Sequence, residues 1–271
     1  MISKLQVTES KNNCNLPLIS VITVVFNSEN FIERTIRSVL EQNYPNTEYI
    51  VIDGGSSDRT LEIVNRFKSK IKYFISEPDA GIYDAMNKGL AAAKGDWVNF
   101  MNAGDIFYSE NTLSKVFIKL ECPAQILYGG VEIDYHKFSR RENPGSPNKL
   151  WQGMQFSHQS IFVDLKYHKN NLFNINNNIT ADLEFLYNAY TNGIIFKKIN
   201  QIISRVVIGG ISEANRYQTI KSSCNAICGR RVKPLVRIYF LTLFVDLFIR
   251  KALKLVLPKK LVKKIILSKE K

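Results

Sequence analysis

The hydrophobic pattern at the start of the chain alternates apolar runs with helical periodicity. Residues 18–25, LISVITVV, form a continuous β-branched run that is typical of a strand buried in a parallel sheet. Residues 31–42 place Ile32, Ile36 and Val39 on one helical face. A second strand is predicted over residues 48–52, then a helix to about residue 68 and a strand over residues 71–75. This order predicts an α/β fold that begins with a nucleotide-binding half-sheet.

Polar chemistry is densest in residues 76–105, SEPDAGIYDAMNKGLAAAKGDWVNFMNAGD. The pattern predicts a turn containing Asp79, a helix through Asp84, Asn87 and Lys88, and a strand at residues 97–101 that precedes Asp105. Open α/β sheets bind ligands at the carboxyl ends of their strands. Carboxylates and an amide suit a sugar, a base edge or a hard cation, and a lysine suits a phosphate. Any one of these residues fits an ordinary solvated connection, but the set indicates a site.

A second polar loop, DGGSSDRT at residues 53–60, follows the second predicted strand. Asp53 ends that strand, and an acid there commonly holds a ribose or base edge. The two glycines allow close approach, and exposed N–H groups at a helix start favour an anion. The alternative, a simple turn in which Asp58 caps the helix, stays open.

Composition sets the class of protein. At 271 residues and 45% hydrophobic content, the chain suits one α/β domain with an appendage. Its four cysteines form no CxxC pair, which favours idle thiols in a reducing compartment. Residues 1–17 contain no apolar segment of the secretory type, and the chain has no run of 18 apolar residues. A cytoplasmic location is therefore expected.

The positive charge is concentrated at the end of the chain. Residues 230–271 hold 13 Lys or Arg against two acids, a net +11 of the total +13. Residues 234–257 are apolar, aromatic and interrupted by charges, after a helix predicted at residues 211–229. This pattern predicts an amphipathic basic helix on the anionic inner face of the cytoplasmic membrane, as a peripheral protein. Packing on the body or a dimer contact are the alternatives. The tail offers no base-stacking platform, so nucleic acid is not expected as a partner.

Two further groups of candidate residues lie in the second half. Residues 125–134 predict strands that close the sheet, and the pair His158-Gln159 enters a later apolar strand. A histidine before a strand is commonly a structural hydrogen-bond donor. Asp182 and Glu184 fall in the first turn of a helix for which Thr180 is a candidate cap. Residues two apart on a helix do not face the same way, so only one acid is expected to enter a cleft.

With these motifs in this order, the chain resembles the family 2 glycosyltransferases, nucleotide-sugar-dependent enzymes of GT-A fold. The resemblance is strong over residues 18–108 and continues more weakly to about residue 192. It is closest to the bacterial branch that acts in surface-polysaccharide synthesis (colanic-acid, O-antigen or capsule type), which shares the GIYDAMNKG segment. The resemblance implies a Rossmann-like mixed sheet flanked by helices over residues 17–210, with a nucleotide-sugar half at 17–108 and an acceptor half at 109–210. Residues 1–16 are then a flexible leader, and residues 211–271 are the amphipathic basic helical appendage.

The resemblance also implies roles for residues on the donor side. Thr23, Phe26 and Asn27 would lie where the first strand meets the nucleoside. Phe26 replaces a more usual tyrosine, which keeps the stacking surface and removes a phenol hydroxyl. Asp53 would hold the base.

A second set of implied roles concerns the rest of the donor. Asp79, Asp84, Asn87 and Lys88 would line the ribose, diphosphate or donor sugar. Asp105 would end the family's aspartate motif, which often contains two acids and here contains one. A single carboxylate with diphosphate oxygens can still hold Mn²⁺ or Mg²⁺.

On the acceptor side, His158 and Gln159 would lie near the acceptor or the diphosphate. The family's placement of an acid selects Asp182 as the general base, with Glu184 as the second candidate. The implied reaction is a single displacement, with inversion, onto a hydroxyl of a glycan or polyprenyl-diphosphate-linked acceptor. A non-catalytic nucleotide-sugar-binding protein, or less favourably a basic nucleic-acid-binding protein, are the alternative functions.

Overall fold

The computed structural model describes residues 16–118, 120, 123–135, 137–207, 215–228 and 234–256. The strands are β1 Ile19–Val25, β2 Thr47–Asp53, β3 Tyr73–Ser76, β4 Trp97–Phe100, β5 Ile106–Phe107, β6 Ile126–Asp134, β7 Ser139–Glu142, β8 Ile161–Asp164 and β9 Phe196–Val207. The helices are α1 Ile32–Leu40, α2 Thr60–Arg66, α3 Ile82–Ala92, α4 Thr112–Phe117, α5 Leu165–Asn170, α6 Ala181–Thr191, α7 Arg216–Ile227 and α8 Pro234–Val256. Nearly all of the predicted leader, the start of the helix predicted at 211, and the lysine-rich residues 257–271 lie outside the described residues.

The first half of the sheet has the parallel order β3-β2-β1-β4. All seven residues of β1 are buried, because helices cover both faces of this central strand. The apolar run at residues 18–25 therefore predicted this strand correctly. The half-sheet order is the one that brings the ends of β1, β2 and β4 to a common ligand-binding edge.

The sheet continues beyond β4 as β8-β6-β9-β5, and β7 pairs with β6. β8 runs antiparallel to both β4 and β6, while β9 is parallel to β6. The predicted mixed sheet is confirmed, and residues 126–134 form one long strand rather than several. β9 was not predicted from the sequence, because most of its side chains are half-buried or exposed and give no continuous apolar run.

The two faces of the sheet carry separate cores. One core packs α3, α5, α6 and the C-terminal helices against residues such as Ile22 and Ile52. The other packs α1, α2 and α4 against residues such as Val21 and Val51. Since successive residues of β1 and β2 serve opposite cores, both strands are fixed in register by burial on both sides.

The C-terminal helices pack on the α6 side of the sheet. In α7, Ser222 accepts a hydrogen bond of 2.9 Å from Thr180, the residue before α6. In α8, Phe240 is buried, and Tyr239 donates to the carbonyl of Gln152 at 3.1 Å. The opposite side of α8 exposes a row of large apolar side chains: Leu235, Ile238, Leu241, Val245, Phe248 and Ile249. Within the described residues, no helix has the length and apolarity needed to cross a membrane.

Close packing of α3 on the sheet gives a first testable prediction. A β-carbon at Gly89 would lie 2.5 Å from Cγ2 of Ile22, so Gly89→Ala forces α3 away from β1. Alanine gains about 1 kcal/mol of helix propensity, but overpacking costs about 1–3 kcal/mol. We expect net destabilisation in urea unfolding. The control is Ala91→Gly on the exposed side of α3, which should cost only the propensity difference. A stability gain for Gly89→Ala would contradict the close approach.

Candidate active site

At the edge of the sheet where β1 and β2 end, an aromatic ring, a glycine and a carboxylate lie close together. Phe26, directly after β1, is 60% exposed. A β-carbon built on Gly54 would lie 3.5 Å from the Phe26 ring and 2.5 Å from Oδ2 of Asp79, so any larger residue would displace the Asp79 carboxylate from its place beside Phe26. An exposed ring can stack a base, and a nearby carboxylate can accept ribose hydroxyls. The structure thus brings together two of the residues predicted to hold the donor.

Asp53 is fully buried and folds the loop that follows β2. Its Oδ2 accepts hydrogen bonds from the N–H groups of Gly55 and Ser56, at 3.0 and 2.9 Å, and from the hydroxyl of Ser76 at 2.7 Å. In this structure the carboxylate fixes the backbone of residues 54–56 beside Phe26. The role predicted for Asp53 at the base stays a prediction.

Asn27 and Thr23 are also engaged within the protein. Asn27 has a φ of 45°, and its Oδ1 accepts the N–H of Ser57 at 2.9 Å. Thr23 is fully buried, donates to the carbonyl of Met101 at 2.7 Å and accepts from Tyr49 at 2.9 Å. The Thr23 side chain is thus held inside the protein, and its predicted place beside the nucleoside stays a prediction. Both residues hold the loops that shape the edge.

The polar residues of α3 clamp neighbouring loops. Asn87 donates to the carbonyl of Phe173 at 2.9 Å and accepts its N–H at 3.0 Å. Lys88 lies 2.8 Å from Glu77, and this hydrogen bond is the main cause that raises the pKa of Lys88. Asp84 accepts the N–H of Ala80 at 3.0 Å. Asn87 thus anchors the segment before α6, while Lys88 and Asp84 shape the turn that holds Asp79.

The pair His158-Gln159 forms a tight 3₁₀ turn at the start of β8. Asn99, buried in β4, donates to the carbonyls of Gln159 and Ile161 at 3.0 and 2.8 Å. The turn is held at the ligand edge by this amide. From this turn, His158 contacts Asp182 and Gln159 contacts Asp105.

Gln159 contacts Asp105, its Nε2 lying 2.5 Å from Oδ2 of the acid. Burial raises the pKa of Asp105, and the bond from Gln159, together with nearby His158 and Arg34, opposes that rise. Arg34 also donates to the carbonyl of Gly104. A partly desolvated carboxylate at a sheet edge is a good ligand for a hard cation.

The side chains available as metal ligands show whether this site fits a divalent cation. Among the described residues, no three or more His, Cys, Asp or Glu side chains are placed so that they could hold a metal ion together. Asp105 would therefore be the protein ligand, and diphosphate oxygens and water would complete the shell. Mg²⁺ is commonly held in this way, by one or two carboxylates with substrate phosphates. The arrangement fits a metal that arrives with its diphosphate.

His158 contacts Asp182, which stands in the first turn of α6. Nδ1 of His158 lies 3.5 Å from Oδ2 of Asp182, and the hydroxyl of Tyr83 donates to Oδ1 at 3.0 Å. Burial, followed by the charge of Asp182, raises the pKa of Tyr83, so the phenol stays protonated as a donor. The Asp182 side chain is 18% exposed, so it can still meet a ligand.

Glu184 and Thr180 are engaged away from this cluster. Glu184 accepts hydrogen bonds from Asn174 and Asn177, the latter at 2.8 Å. Thr180 makes no side-chain cap to α6; its hydroxyl bonds Asn177 and Ser222 instead. The expected cap is therefore corrected. Geometry separates the two acids, because Asp182 joins the cluster of Asp105, His158 and Gln159, while Glu184 orders the asparagine-rich loop before α6.

Sequence reasoning missed several residues that build this site. Tyr83 lies inside the quoted GIYDAMNKG segment but was given no role. Asn99 had a usable signal, an amide inside the otherwise apolar strand WVNF. Asn102, for which the sequence predicted no role, places its Nδ2 3.0 Å from Nε2 of His158. His168, which was given no role, is buried against Phe185, and burial lowers its pKa to about 4.

A second prediction separates loop folding from direct ligand contact. Asp53→Asn puts an NH₂ group against backbone and hydroxyl donors, and leaving buried donors unsatisfied costs about 1–3 kcal/mol. We expect ligand-free urea unfolding to show this loss. Asp79→Asn is the control, since its amide oxygen still accepts the N–H of Gly81. If Asp53→Asn left ligand-free stability unchanged, Asp53 would be a ligand residue rather than a loop anchor.

Comparisons with known proteins agree with this geometry. Residues 20–201 match the family "Glycosyl transferase family 2". A "PGL/p-HBAD biosynthesis glycosyltransferase" of Mycobacterium bovis is 28% identical over 209 residues, which cover 72% of this chain and 79% of the relative.

Two solved structures share the fold. S. aureus TarS 1-349 in complex with UDP has a TM-score of 0.61 at 19% identity, covering 90% of this chain and 76% of that one. Mannosyltransferase PcManGT from Pyrobaculum calidifontis, in complex with GDP-Man and Mn²⁺, has a TM-score of 0.64 at 15% identity, covering 95% and 80%. A longer TarS chain is matched over 43% of its length. Taken with the family match, these likenesses establish a GT-A fold, and the chain belongs to the family 2 glycosyltransferases.

Proposed function

We propose that the protein is an inverting glycosyltransferase that moves a sugar from a nucleotide-sugar to a hydroxyl of a glycan or polyprenyl-diphosphate-linked acceptor. A UDP-sugar is the donor we expect, and bacterial surface-polysaccharide biosynthesis is the pathway we expect. One observation carries the proposal: the His158-Gln159 turn connects Asp182 on one side with Asp105 on the other. A candidate base and a candidate diphosphate-metal ligand thus flank the same turn.

We assign the donor to residues 17–108 and the acceptor to residues 109–210. The exposed ring of Phe26 stacks the base, and Asp79 beside Gly54 accepts ribose hydroxyls. Asp84 and Lys88 lie close to this turn, and Lys88 can exchange Glu77 for a phosphate. TarS was solved with UDP and PcManGT with GDP-Man, so the nucleotide must be tested directly.

The chemical step follows from the position of Asp182. Its carboxylate takes the proton of the acceptor hydroxyl as the oxygen attacks the anomeric carbon. The new carbon–oxygen bond forms on the face opposite the diphosphate, whose bond to that carbon breaks, so the configuration inverts. Asp105 would hold Mn²⁺ or Mg²⁺, which supplies positive charge to the departing diphosphate. Arg34, close to Asp105, adds charge on the same side.

The third prediction tests this assignment by nucleotide release from UDP-, GDP- and dTDP-sugars with Mn²⁺ or Mg²⁺. We expect one donor class to be hydrolysed slowly by the wild type. Asp182→Asn should lower kcat by about 100-fold or more, because general-base catalysis contributes that much. Asp105→Ala should abolish release, and chelation should do the same reversibly.

Glu184→Gln is the matched control for Asp182→Asn. It makes the same change two residues away on α6 and should keep most of the activity. If Glu184→Gln removed turnover and Asp182→Asn did not, Glu184 would be the base. Donor binding by calorimetry with no turnover of any donor would favour the non-catalytic binding protein.

We also propose that α8 lies on the anionic inner face of the cytoplasmic membrane. One side of α8 packs on the body through Tyr239 and Phe240, while the other exposes Leu241, Val245 and Phe248. Residues 230–271 supply a net charge of +11. Each well-placed Lys or Arg adds about 1 kcal/mol at an anionic surface. A location at the membrane suits a lipid-linked acceptor.

The fourth prediction concerns this surface. The protein should sediment with phosphatidylglycerol-containing vesicles and be released by high salt. Leu241→Glu with Phe248→Glu should lower the bound fraction at least tenfold. Ile118→Glu with Ile195→Glu is the control, since both side chains are exposed and apolar but lie outside α8. Retention on DNA without vesicle binding would favour the nucleic-acid-binding alternative, and a dimer lost in the α8 variant would make α8 a subunit contact.

A further inference from the structure

A continuous chain of polar side chains leads from the aspartate-motif turn to the candidate base. Nδ2 of Asn102 lies 3.0 Å from Nε2 of His158, and Nδ1 of His158 lies 3.5 Å from Oδ2 of Asp182. The hydroxyl of Tyr83 lies 3.0 Å from Oδ1 of Asp182. Asn102 follows β4, His158 precedes β8, and Asp182 and Tyr83 stand on two different helices. This series of polar contacts therefore connects four separate parts of the fold.

The orientation of the Asn102 amide indicates which imidazole nitrogen carries the proton. Nδ2 of Asn102 faces Nε2 of His158, and an amide nitrogen only donates, so in this orientation Nε2 is the acceptor. In the neutral ring the hydrogen is then on Nδ1, the nitrogen that faces Asp182. The alternative tautomer would direct a lone pair at the carboxylate.

This orientation of the Asn102 amide has a cost, because it leaves the buried amide oxygen, Oδ1, without a hydrogen-bond partner among the described residues. An unsatisfied buried acceptor costs about 1–3 kcal/mol. Turning the amide would place Oδ1 against Nε2 and require a hydrogen there, and in the neutral ring this would remove the N–H that faces Asp182. The donating orientation keeps the whole chain consistent.

We propose that Asn102 and His158 are positioning residues that set the tautomer of His158 and the rotation of the Asp182 carboxylate. This inference rests on the proposed role of Asp182 as the base. Oδ1 of Asp182 is held by the Tyr83 hydroxyl and by the N–H of Leu183 at 2.8 Å. Among the described residues, Oδ2 meets only the longer contact from His158, so Oδ2 is the oxygen that takes the acceptor proton.

The proposal explains why an amide suits position 102 better than a second acid. An aspartate at position 102 would accept from Nε2 and draw the hydrogen of His158 away from Asp182. Asp105 also lies near His158, so a further acid would add negative charge beside two carboxylates. Arg34 is the cation on the Asp105 side, and its charge does not replace the lost N–H.

The test reads the tautomer directly. The chain has three histidines, so ¹⁵N-labelled histidine gives few signals in long-range ¹H–¹⁵N spectra. In the wild type, the signals that His158→Gln removes should show hydrogen on Nδ1. In Asn102→Asp they should move to the pattern of hydrogen on Nε2 or on both nitrogens. A wild-type ring with hydrogen on Nε2 overturns the proposal.

Kinetics test the consequence of the tautomer. Asn102→Asp should lower kcat for donor hydrolysis about 30-fold while the KM for the donor changes less than threefold. His158→Asn keeps an N–H near the position of Nδ1 and should restore more activity than His158→Gln, which places its amide near Nε2. Asn188→Asp, the same change at an exposed position of α6, is the control and should match the wild type. Equal loss in the two His158 variants, or a raised KM with unchanged kcat, overturns the proposal.

The tautomer spectra do not depend on turnover, so the two proposals fail separately. A wild type with no activity on any donor contradicts the proposed function. Spectra with the wrong tautomer in an active enzyme contradict only the positioning role.

Discussion

The candidate site depends on the two hydrogen bonds that Asn99 donates to the turn before β8. β8 runs antiparallel to β4, so its first residues lie where β4 ends, at the edge that the parallel strands β1 and β2 share. Asn99 is buried, and its amide nitrogen bonds two carbonyls of the turn, which holds the turn beside the end of β4. His158 and Gln159 thereby reach Asp182 and Asp105, which otherwise belong to distant parts of the chain.

Much of the polar chemistry around the edge stabilises loops. A glycine-rich loop has backbone N–H groups that neither a strand nor a helix satisfies, and a buried carboxylate can satisfy several at once. Asp53 does this after β2. In the segment before α6, the amide of Asn87 pairs with both the N–H and the carbonyl of Phe173. Residues that the sequence marks as ligands can therefore act one step away from the ligand, by fixing the groups that touch it.

The sequence predicted the first half of the fold well and the second half less completely. β1 and β2 are buried on both faces, which leaves continuous apolar runs, whereas most side chains of β9 are half-buried or exposed and give no such signal. The residues of the candidate site were likewise predicted in part. The sequence placed Asp79 and Asp105 at the edge, but it could not show that Asp53 turns inward, because that depends on which N–H groups the loop leaves unpaired. Helix geometry required Asp182 and Glu184 to face different ways, and the family resemblance selected Asp182. The contacts agree with that choice, because Asp182 meets Tyr83 and His158 while Glu184 meets the asparagine-rich loop.

The C-terminal helices are mechanically connected to the base. Ser222 of α7 accepts from Thr180 and donates to Asn177, and both partners lie in the segment that leads into α6. α8 packs beside the turn at residues 147–152 through Tyr239 and Trp151. A surface bound to the exposed row on α8 would therefore be connected to Asp182 through α7, the segment before α6 and the turn at residues 147–152. Residues of α6, α7 and α8 pack on the same face of the sheet. If α8 binds a membrane as proposed, the membrane and the candidate base Asp182 therefore lie on that same face, and a lipid-linked acceptor would have to reach Asp182 along it.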